Sequence, residues 1–310
     1  MFVIIGGIFG LALLYYGAEF LVKGGSCIAL KMKISPLVIG LTLVAYATSA
    51  PELMVSVDAA TKGFGDVSIG NIVGSNICNI ALILGLCAII TPLQVNKNLL
   101  KFDIYLMIIA ALALAGCYAL SGGVNRWEGA VLLTGCISYT LWSIYSSRRQ
   151  NTASEENPEL PKYGIIVSIG LVAGGLAALI GGAKLFVNGA IFLAQLCGVS
   201  DAVIGLTVVA VGTSLPELAT SVVAAIRKEQ DIAIGNVVGS NIFNVLAILG
   251  VAPLISPIKT QDISYVDMGL MVFVSIMLYP MMKTGMKISR KEGIVLLSLY
   301  IAYTVYLIVQ

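Results

Sequence analysis

Long apolar runs constrain this chain more than any other feature of its sequence. Of its 310 residues, 58% are hydrophobic and only 11% are charged, which is too little polar surface for a water-soluble domain of this size. A helix needs about 20 apolar residues to cross the hydrocarbon core of a bilayer. The sequence therefore predicts an all-α membrane protein with ten transmembrane helices. The predicted spans are 2–22, 36–61, 68–91, 103–120, 129–146, 163–187, 201–226, 232–256, 264–282 and 292–309.

The same composition excludes several classes of function. Histidine is absent, which removes histidine-based catalysis, histidine metal sites and histidine proton switching. The net charge is only +2 and no segment is strongly basic, so we expect no nucleic acid partner. No GxSxG motif of a serine hydrolase is present. We expect a protein of the lipid bilayer that is not an enzyme, carries no cofactor, needs no protein partner and functions as a monomer.

Basic residues are distributed unequally between the two ends of the predicted spans. Fourteen of the 18 Lys and Arg residues lie on the side that the chain reaches after its first span. Loops rich in Lys and Arg stay on the cytoplasmic side of a membrane. This predicts a multi-pass protein of the cell (plasma) membrane with both termini outside and the polar linker 147–162 in the cytoplasm.

The chain contains an internal repeat. Residues 34–93 align without a gap with residues 199–258 at a constant offset of 165, and about half of the pairs are identical. The strongest matches are VIGLT at Val38 and Val203, TSxPEL at Thr48 and Thr213, and IGNxVGSNIxN at Ile69 and Ile234. Each half, 1–146 and 163–310, contains five predicted spans, an odd number, so the second half must be inverted. Inverted repeats are typical of secondary transporters, whose site lies between the repeats at mid-membrane.

Two glutamates occupy equivalent positions in the middle of the second and seventh spans. They are Glu52 and Glu217. A charged side chain at the centre of a spanning helix costs about 3 kcal/mol or more without a compensating charge. No Lys or Arg of the repeats lies at comparable depth. A bound cation is the simplest partner for the two carboxylates.

A proline precedes each glutamate. Pro51 and Pro216 lack the N–H of a helical residue and crowd the carbonyl four residues earlier, here that of Ala47 or Gly212. The second and seventh helices are therefore predicted to be broken at the midplane. Irregular backbone at this depth is tolerated where it lines a protein cavity, so the freed carbonyls can face an ion.

Neutral oxygen donors accompany both glutamates. Thr48 and Thr213 each lie four residues before a glutamate and share its helical face, and Ser49 and Ser214 follow them. The third and eighth spans carry polar stripes at a spacing of four, namely Asn71, Ser75 and Asn79, and Asn236, Ser240 and Asn244. Interhelical hydrogen bonding is the alternative role of these stripes, and it is favoured for Asn71 and Asn236.

An oxygen cage of this kind suits hard cations. Ca²⁺ takes about six to eight oxygen ligands in flexible geometry, whereas Mg²⁺ demands a stricter octahedron. Two carboxylates neutralise one Ca²⁺ or two Na⁺, so competition for the same charges gives a physical basis for exchange.

The paired motifs resemble the two α-repeats of the cation/calcium antiporter superfamily, most closely its prokaryotic sodium/calcium exchangers. TSAPEL at Thr48 and TSLPEL at Thr213 carry the resemblance, with GNIVGSNICN at Gly70 and GNVVGSNIFN at Gly235. It covers essentially the whole chain. It implies electrogenic exchange of three Na⁺ for one Ca²⁺ by alternating access, in which the first and sixth spans slide past the other helices.

The resemblance also implies roles for individual residues. The transported Ca²⁺ would be bound by Thr48, Glu52, Thr213 and Glu217. The transported Na⁺ would be bound by Ser49, Ser75, Ser214 and Ser240, and by the backbone carbonyls of Ala45 and Ala210. This differs from the proline argument, which indicates the carbonyls of Ala47 and Gly212.

Two departures from the family pattern bear on the ions. Some members have Asp where this chain has Asn244, and the neutral amide argues against potassium-dependent exchange. Tyr46 stands where a smaller residue is common, which could change access or ion preference. An H⁺/Ca²⁺ antiporter is the alternative function, because two carboxylates could carry two protons. The Thr–Ser pairs beside both glutamates favour Na⁺.

Overall fold

The computed structural model describes residues 2–151, 163–197, 210–260 and 263–309. These residues are almost entirely helical, with four two-residue strands in addition. The helices are α1 (Phe2–Met32), α2 (Pro36–Thr48), α3 (Ala50–Thr61), α4 (Gly65–Ile90), α5 (Leu99–Ser121), α6 (Arg126–Asn151), α7 (Ile165–Leu196), α8 (Ala210–Gly212), α9 (Leu215–Ile226), α10 (Gln230–Ile255), α11 (Tyr265–Lys283) and α12 (Arg290–Val309). The strands are β1 (Leu93–Gln94), β2 (Gly123–Val124), β3 (Ile258–Lys259) and β4 (Lys287–Ile288).

The predicted membrane character is confirmed, but the number of spans is not. Within the described residues, seven helices are long and apolar enough to cross a membrane, or eight if the bent pair α2–α3 is one span. Of the remaining predicted spans, α6 is a helix of 26 residues with charged residues at both ends. The predicted span 201–226 lies partly outside the described residues, and VIGLT at Val203 lies wholly outside them.

Two predicted boundaries differ from the structure. Helix α1 continues to Met32, well beyond the predicted end at residue 22, so Lys23 belongs to a helix rather than a loop. Helix α6 continues through the first residues of the predicted linker to Asn151, and residues 152–162 lie outside the described part of the chain. Apolarity determines where a span can cross the bilayer, but hydrogen bonding extends a helix beyond it.

Proline breaks the second predicted span where the sequence indicated. Helix α2 ends at Thr48, Ser49 has φ −82° and ψ 9°, and α3 begins with Pro51 in its first turn. The two helices are bent by 48°. The first turn of a helix needs no N–H hydrogen bond, so proline is tolerated at a new start. In the second repeat α9 begins in the same way, at Leu215 followed by Pro216.

Helices α1 and α7 pack together through glycines. A Cβ on Gly10 would lie 2.7 Å from the Gly182 carbonyl oxygen, and a Cβ on Gly17 would lie 2.8 Å from that of Gly175. Positions rise along α1 as they fall along α7, so the two helices are antiparallel. Gly10 and Gly17 are the repeat equivalents of Gly175 and Gly182, so each contact has its counterpart. This is the geometry that an inverted repeat predicts for its first helices.

Helices α4 and α10 form the centre of the bundle, and each is 78% buried along its apolar window. A short strand follows the end of each, β1 after α4 and β3 after α10, and each strand pairs with a strand from another part of the chain. Leu93 of β1 pairs with Ile288 of β4, and Gly123 of β2 pairs with Lys259 of β3. The offset of 165 converts β1 into β3, and β4 begins 164 residues after β2, so the two strand pairs are also related by the repeat.

Candidate ion-binding site

The two intramembrane glutamates lie at the starts of equivalent half-helices. Glu52 is in the first turn of α3 and Glu217 in the first turn of α9, and each residue is only 1% exposed. The N-terminus of a helix carries partial positive charge that favours an anion. The serine directly before each half-helix, Ser49 or Ser214, hydrogen-bonds to the glutamate of the other half-helix. Each break at proline therefore starts a new half-helix inside the bundle, and the first turn of each half-helix carries one of the two carboxylates.

Serine hydroxyls connect each glutamate to the other repeat. Ser49 Oγ donates a hydrogen bond to Glu217 Oε1 at 2.8 Å, and Ser214 Oγ donates to Glu52 Oε1 at 3.1 Å. Ser214 Oγ also lies 3.4 Å from Ser75 Oγ. These bonds connect the break between α2 and α3, the start of α9, and α4. The residues that they join form the carboxylate cluster, which consists of Glu52, Glu217, Ser49, Ser214 and Ser75. The sequence placed Ser49 beside Glu52 on its own chain segment, but the structure pairs it with the glutamate of the other half.

Six buried side-chain oxygens of the predicted site residues have no hydrogen-bond partner within the described part of the chain. An unpaired buried polar atom is costly and calls for an explanation such as a bound ion. Among the described residues no group of three or more His, Cys, Asp or Glu side chains could hold a metal, so an ion here would use two carboxylates and neutral oxygens. The unpartnered atoms are Glu52 Oε2, Glu217 Oε2, Asn79 Oδ1, Asn244 Oδ1, Thr213 Oγ1 and Ser240 Oγ.

Thr48 and the backbone of Ala45 lie beside the same cluster. Thr48 Oγ1 donates to Asn236 Oδ1 at 3.1 Å and is 3.3 Å from the Ala45 carbonyl oxygen. That carbonyl also accepts the N–H of Ser49 at 3.0 Å. Ala210, the equivalent of Ala45, is the first residue of α8. The structure therefore places the predicted donors of the first repeat around the break.

Asn71 and Asn236 have the structural role that the sequence favoured for them. Asn71 Nδ2 donates to the Glu52 carbonyl oxygen at 3.2 Å and to Ser56 Oγ at 2.9 Å. Asn236 Nδ2 makes the equivalent bonds, to the Glu217 carbonyl oxygen at 3.4 Å and to Ser221 Oγ at 2.9 Å. Both amides hold a half-helix against the central helix behind it.

Two further amides contact predicted site residues, and the sequence reasoning missed them. Asn79 Nδ2 donates to Asn241 Oδ1, and Asn244 Nδ2 donates to Asn76 Oδ1, both at 3.0 Å. Asn76 and Asn241 are present in both GSNI motifs, but they fall outside the spacing of four that defined the polar stripe. Helix α4 carries a π-helical segment at Cys78–Leu84 and α10 one at Asn244–Ile248, so the helical spacing changes there.

Tyr46 and Asp58 lie away from the carboxylate cluster. The Tyr46 hydroxyl hydrogen-bonds with Thr140, and its ring stacks on Phe243 with centroids 4.4 Å apart. Asp58 forms an ion pair with Lys62 at 2.7 Å and its side chain is 61% exposed. Tyr46 therefore packs sideways against α6 and α10, and Asp58 is a carboxylate at the surface end of α3.

Comparisons with known proteins agree over nearly the whole chain. A family model described as sodium/calcium exchanger protein matches residues 2–145 and 167–309. The chain is 39% identical over 309 residues to the putative antiporter CaxA of Alkalimonas amylolytica, with 95% of each chain covered. It is 36% identical over 337 residues to sodium/calcium exchanger MaX1 of Methanosarcina acetivorans, with 96% of each covered. A solved structure of the sodium-calcium exchanger NCX_Mj, soaked with zero Na⁺ and Ca²⁺, has a TM-score of 0.84 at 38% identity and covers 98% of both chains.

Proposed function

Because the chain belongs to the sodium/calcium exchanger protein family, we propose that it exchanges Na⁺ for Ca²⁺ across the cell membrane by alternating access. Members of this family are secondary transporters rather than enzymes. The observation that carries the proposal is that Glu52 and Glu217, one from each repeat, each accept a hydrogen bond from a serine of the other repeat and each have an unpartnered buried oxygen. A cation between them offsets the cost of two buried negative charges.

The ions would be held by carboxylates and neutral oxygens from both repeats. Ca²⁺ would take Glu52 and Glu217 with Thr48 and Thr213. The surrounding sites for Na⁺ would use the serine hydroxyls, the amide oxygens of the central helices and two backbone carbonyls. These residues are Ser49, Ser75, Ser214, Ser240, Asn79, Asn244, Ala45 and Ala210. The unpartnered oxygens of the cluster support this assignment.

The charge of the site supports a stoichiometry of three Na⁺ to one Ca²⁺. Two carboxylates are neutralised by one Ca²⁺, whereas three Na⁺ leave one net positive charge, so the exchange would be electrogenic. Asn244 contributes no charge, which supports exchange without K⁺. Na⁺ and Ca²⁺ are substrates here, and the proposed transporter works as a monomer in the bilayer.

The proposed topology has ten spans in two inverted repeats. Residues 1–146 would form the first five-helix repeat and residues 163–310 the second, joined by the cytoplasmic linker 147–162. The antiparallel packing of α1 and α7 and the related strand pairs support the inversion. The excess of Lys and Arg on one side supports termini that face outside.

Transport by purified protein in liposomes tests the proposal. Vesicles loaded with Na⁺ and diluted into Na⁺-free choline medium are expected to take up ⁴⁵Ca²⁺, and replacing choline by K⁺ should not increase the initial rate. Monensin, which collapses the Na⁺ gradient, should abolish uptake, and protein-free vesicles give the background. Because net charge leaves the vesicle, clamping the membrane potential with K⁺ and valinomycin should accelerate uptake.

The alternative H⁺/Ca²⁺ antiport predicts the opposite dependence. Vesicles without Na⁺ but with an acidic interior would then take up ⁴⁵Ca²⁺ at the rate of the Na⁺-loaded vesicles, and this outcome would refute Na⁺ coupling. Uptake that requires neither gradient would instead indicate a passive channel.

A further inference from the structure

The amide groups of Asn79 and Asn244 have one end committed to a hydrogen bond and the other end free. Each donates from Nδ2 to an asparagine of the other repeat at 3.0 Å. The Oδ1 atom of each is buried and has no partner within the described residues. An asparagine side chain can rotate to exchange its oxygen and nitrogen, and only the oxygen can bind a cation. Whatever fixes the rotation of these amides thus decides whether they can serve as ligands.

The acceptors for both bonds are Asn241 and Asn76. Asn241 Oδ1 accepts from Asn79, while Asn241 Nδ2 donates to the backbone carbonyl of Asn76 at 3.3 Å and lies 3.8 Å from Met107 Sδ. Asn76 Oδ1 accepts from Asn244, and Asn76 Nδ2 lies 3.9 Å from Met271 Sδ. Rotation of Asn79 or Asn244 would place oxygen against oxygen in a site where these residues are no more than 2% exposed, which is unfavourable.

We propose that Asn76 and Asn241 are positioning residues that hold the Asn79 and Asn244 amides with their oxygens toward the ions. The inference rests on the proposed function, because it assumes that the carboxylate cluster binds Ca²⁺. Each repeat supplies the residue that orients the amide of the other. The acceptor oxygen, not the volume of the side chain, is the required feature of Asn76 and Asn241.

The chemistry of Asp gives this proposal a distinctive consequence. An aspartate has an oxygen at both ends of its side chain, so it presents an oxygen to the ion in either orientation. The hydrogen bond that Asn244 donates to Asn76 is therefore needed only while position 244 is Asn. The same argument links Asn241 to position 79.

The test is a double-mutant cycle on the purified protein. Equilibrium binding of ⁴⁵Ca²⁺ is measured in detergent without Na⁺ for the parent, Asn76→Leu, Asn244→Asp and the double variant. Asn76→Leu has similar volume but no acceptor, and loss of one buried hydrogen bond and of one oriented ligand should raise Kd about tenfold. In the Asn244→Asp background there is no amide bond to lose, so the same substitution should not raise Kd by more than about twofold.

A structural role for Asn76 predicts a different result. If Asn76→Leu acts by disturbing packing, its effect on Kd will be equally large in both backgrounds, and the positioning role is refuted. Asn241→Leu with and without Asn79→Asp provides the matched cycle in the other repeat. Asn76→Ala removes the same acceptor with less bulk and replaces Asn76→Leu if that variant does not elute as a folded monodisperse protein.

A reference variant separates this inference from the proposed function. Glu52→Gln should abolish Ca²⁺ binding in the same assay. If Glu52→Gln loses binding while Asn76→Leu binds as the parent does, only the positioning inference is wrong. If Glu52→Gln binds as the parent does, the cluster is not a Ca²⁺ site, and both proposals are overturned. No ion gradient is involved, so Na⁺ or H⁺ coupling does not affect the outcome.

Discussion

The two ends of the helix bundle are built from equivalent residues but are packed differently. At the end rich in Lys and Arg, Glu19 of α1 forms ion pairs with Lys23 at 2.7 Å and with Arg227, just after α9, at 2.6 Å. At the opposite end the repeat equivalents of Glu19 and Arg227 are Lys184 and Lys62, two residues of like charge. The ion pair that connects α1 to α9 therefore has no counterpart between α7 and α3.

Helix packing follows the charges. Helix α9 packs along α1, whereas α3 packs against α4 and α10 and scarcely contacts α7. Val223 of α9 is only 5% exposed, but its equivalent in α3 is the exposed Asp58. One repeat sequence has therefore been adapted for a tightly packed end and a loosely packed end. In an inverted-repeat transporter the two ends must alternate, and unequal charges give the two states unequal stability.

The largest expected effect on transport comes from the two glutamates, which occupy equivalent positions in the two halves. Glu52→Gln and Glu217→Gln should each reduce Na⁺-driven ⁴⁵Ca²⁺ uptake by more than about 100-fold, because removing one charge from a buried ion site costs 3 kcal/mol or more. Asp58→Asn, the same chemical change in an exposed residue of α3, is the control and should retain uptake. Substantial flux in only one of the two glutamine variants would mean that the halves contribute unequally to the site.

Replacing a contact glycine with alanine should destabilise the protein equally whether the glycine lies in α1 or in α7. A Cβ on Gly17 or Gly182 would meet a backbone oxygen at 2.8 Å, so Gly17→Ala and Gly182→Ala should each destabilise the fold by about 1–3 kcal/mol. Thermal unfolding in detergent measures the loss. Gly181→Ala is the control, because a Cβ there meets no described atom within 4 Å. A loss as large for Gly181→Ala would show that the close contact between α1 and α7 is not the cause of the destabilisation.

Removing a charge should lower stability at the Glu19 end of the bundle but not at the Lys184 end. Glu19→Gln removes both ion pairs of a buried carboxylate and should lower stability by about 1 kcal/mol, since Lys23 and Arg227 are half-exposed and solvent screens them. Lys184→Gln, the equivalent change in an exposed residue, should alter stability by less than about 0.5 kcal/mol. Equal shifts in the unfolding temperature of the two variants would contradict the asymmetry described here.

The smallest effect distinguishes the two threonines of the site. Thr48 donates to Asn236 Oδ1, so Thr48→Val leaves that buried acceptor unpaired and should cost about 1 kcal/mol of stability. Thr213 Oγ1 makes no hydrogen bond of good geometry within the described residues and lies near Glu52, which also accepts from Ser214, so Thr213→Val should lower the unfolding temperature of the ion-free protein less than Thr48→Val does. If Thr213→Val lowers the unfolding temperature as much as Thr48→Val does, the hydroxyl of Thr213 stabilises the fold as strongly as that of Thr48, and the expected difference between the two threonines is wrong.

The sequence by itself determined the helical membrane character, the broken second span and the two buried glutamates. Each depends on information carried by a few consecutive residues, such as an apolar run, a proline or a motif repeated at a fixed offset. It also determined that Asn71 and Asn236 hydrogen-bond between helices. The family likeness of the motifs supplied the antiporter expectation, which the family match confirms.

Only the tertiary structure decided which groups meet across the repeats. Ser49 donates to the glutamate of the other half, Asn76 accepts from the amide of Asn244, and Glu19 pairs with Arg227 rather than with a residue of α7. Such partners depend on where two distant helices cross and on the π-helical segments that shift the spacing of side chains. Periodicity along one chain segment indicates which face a residue occupies, but the residue it contacts there is set by the packing of the other half.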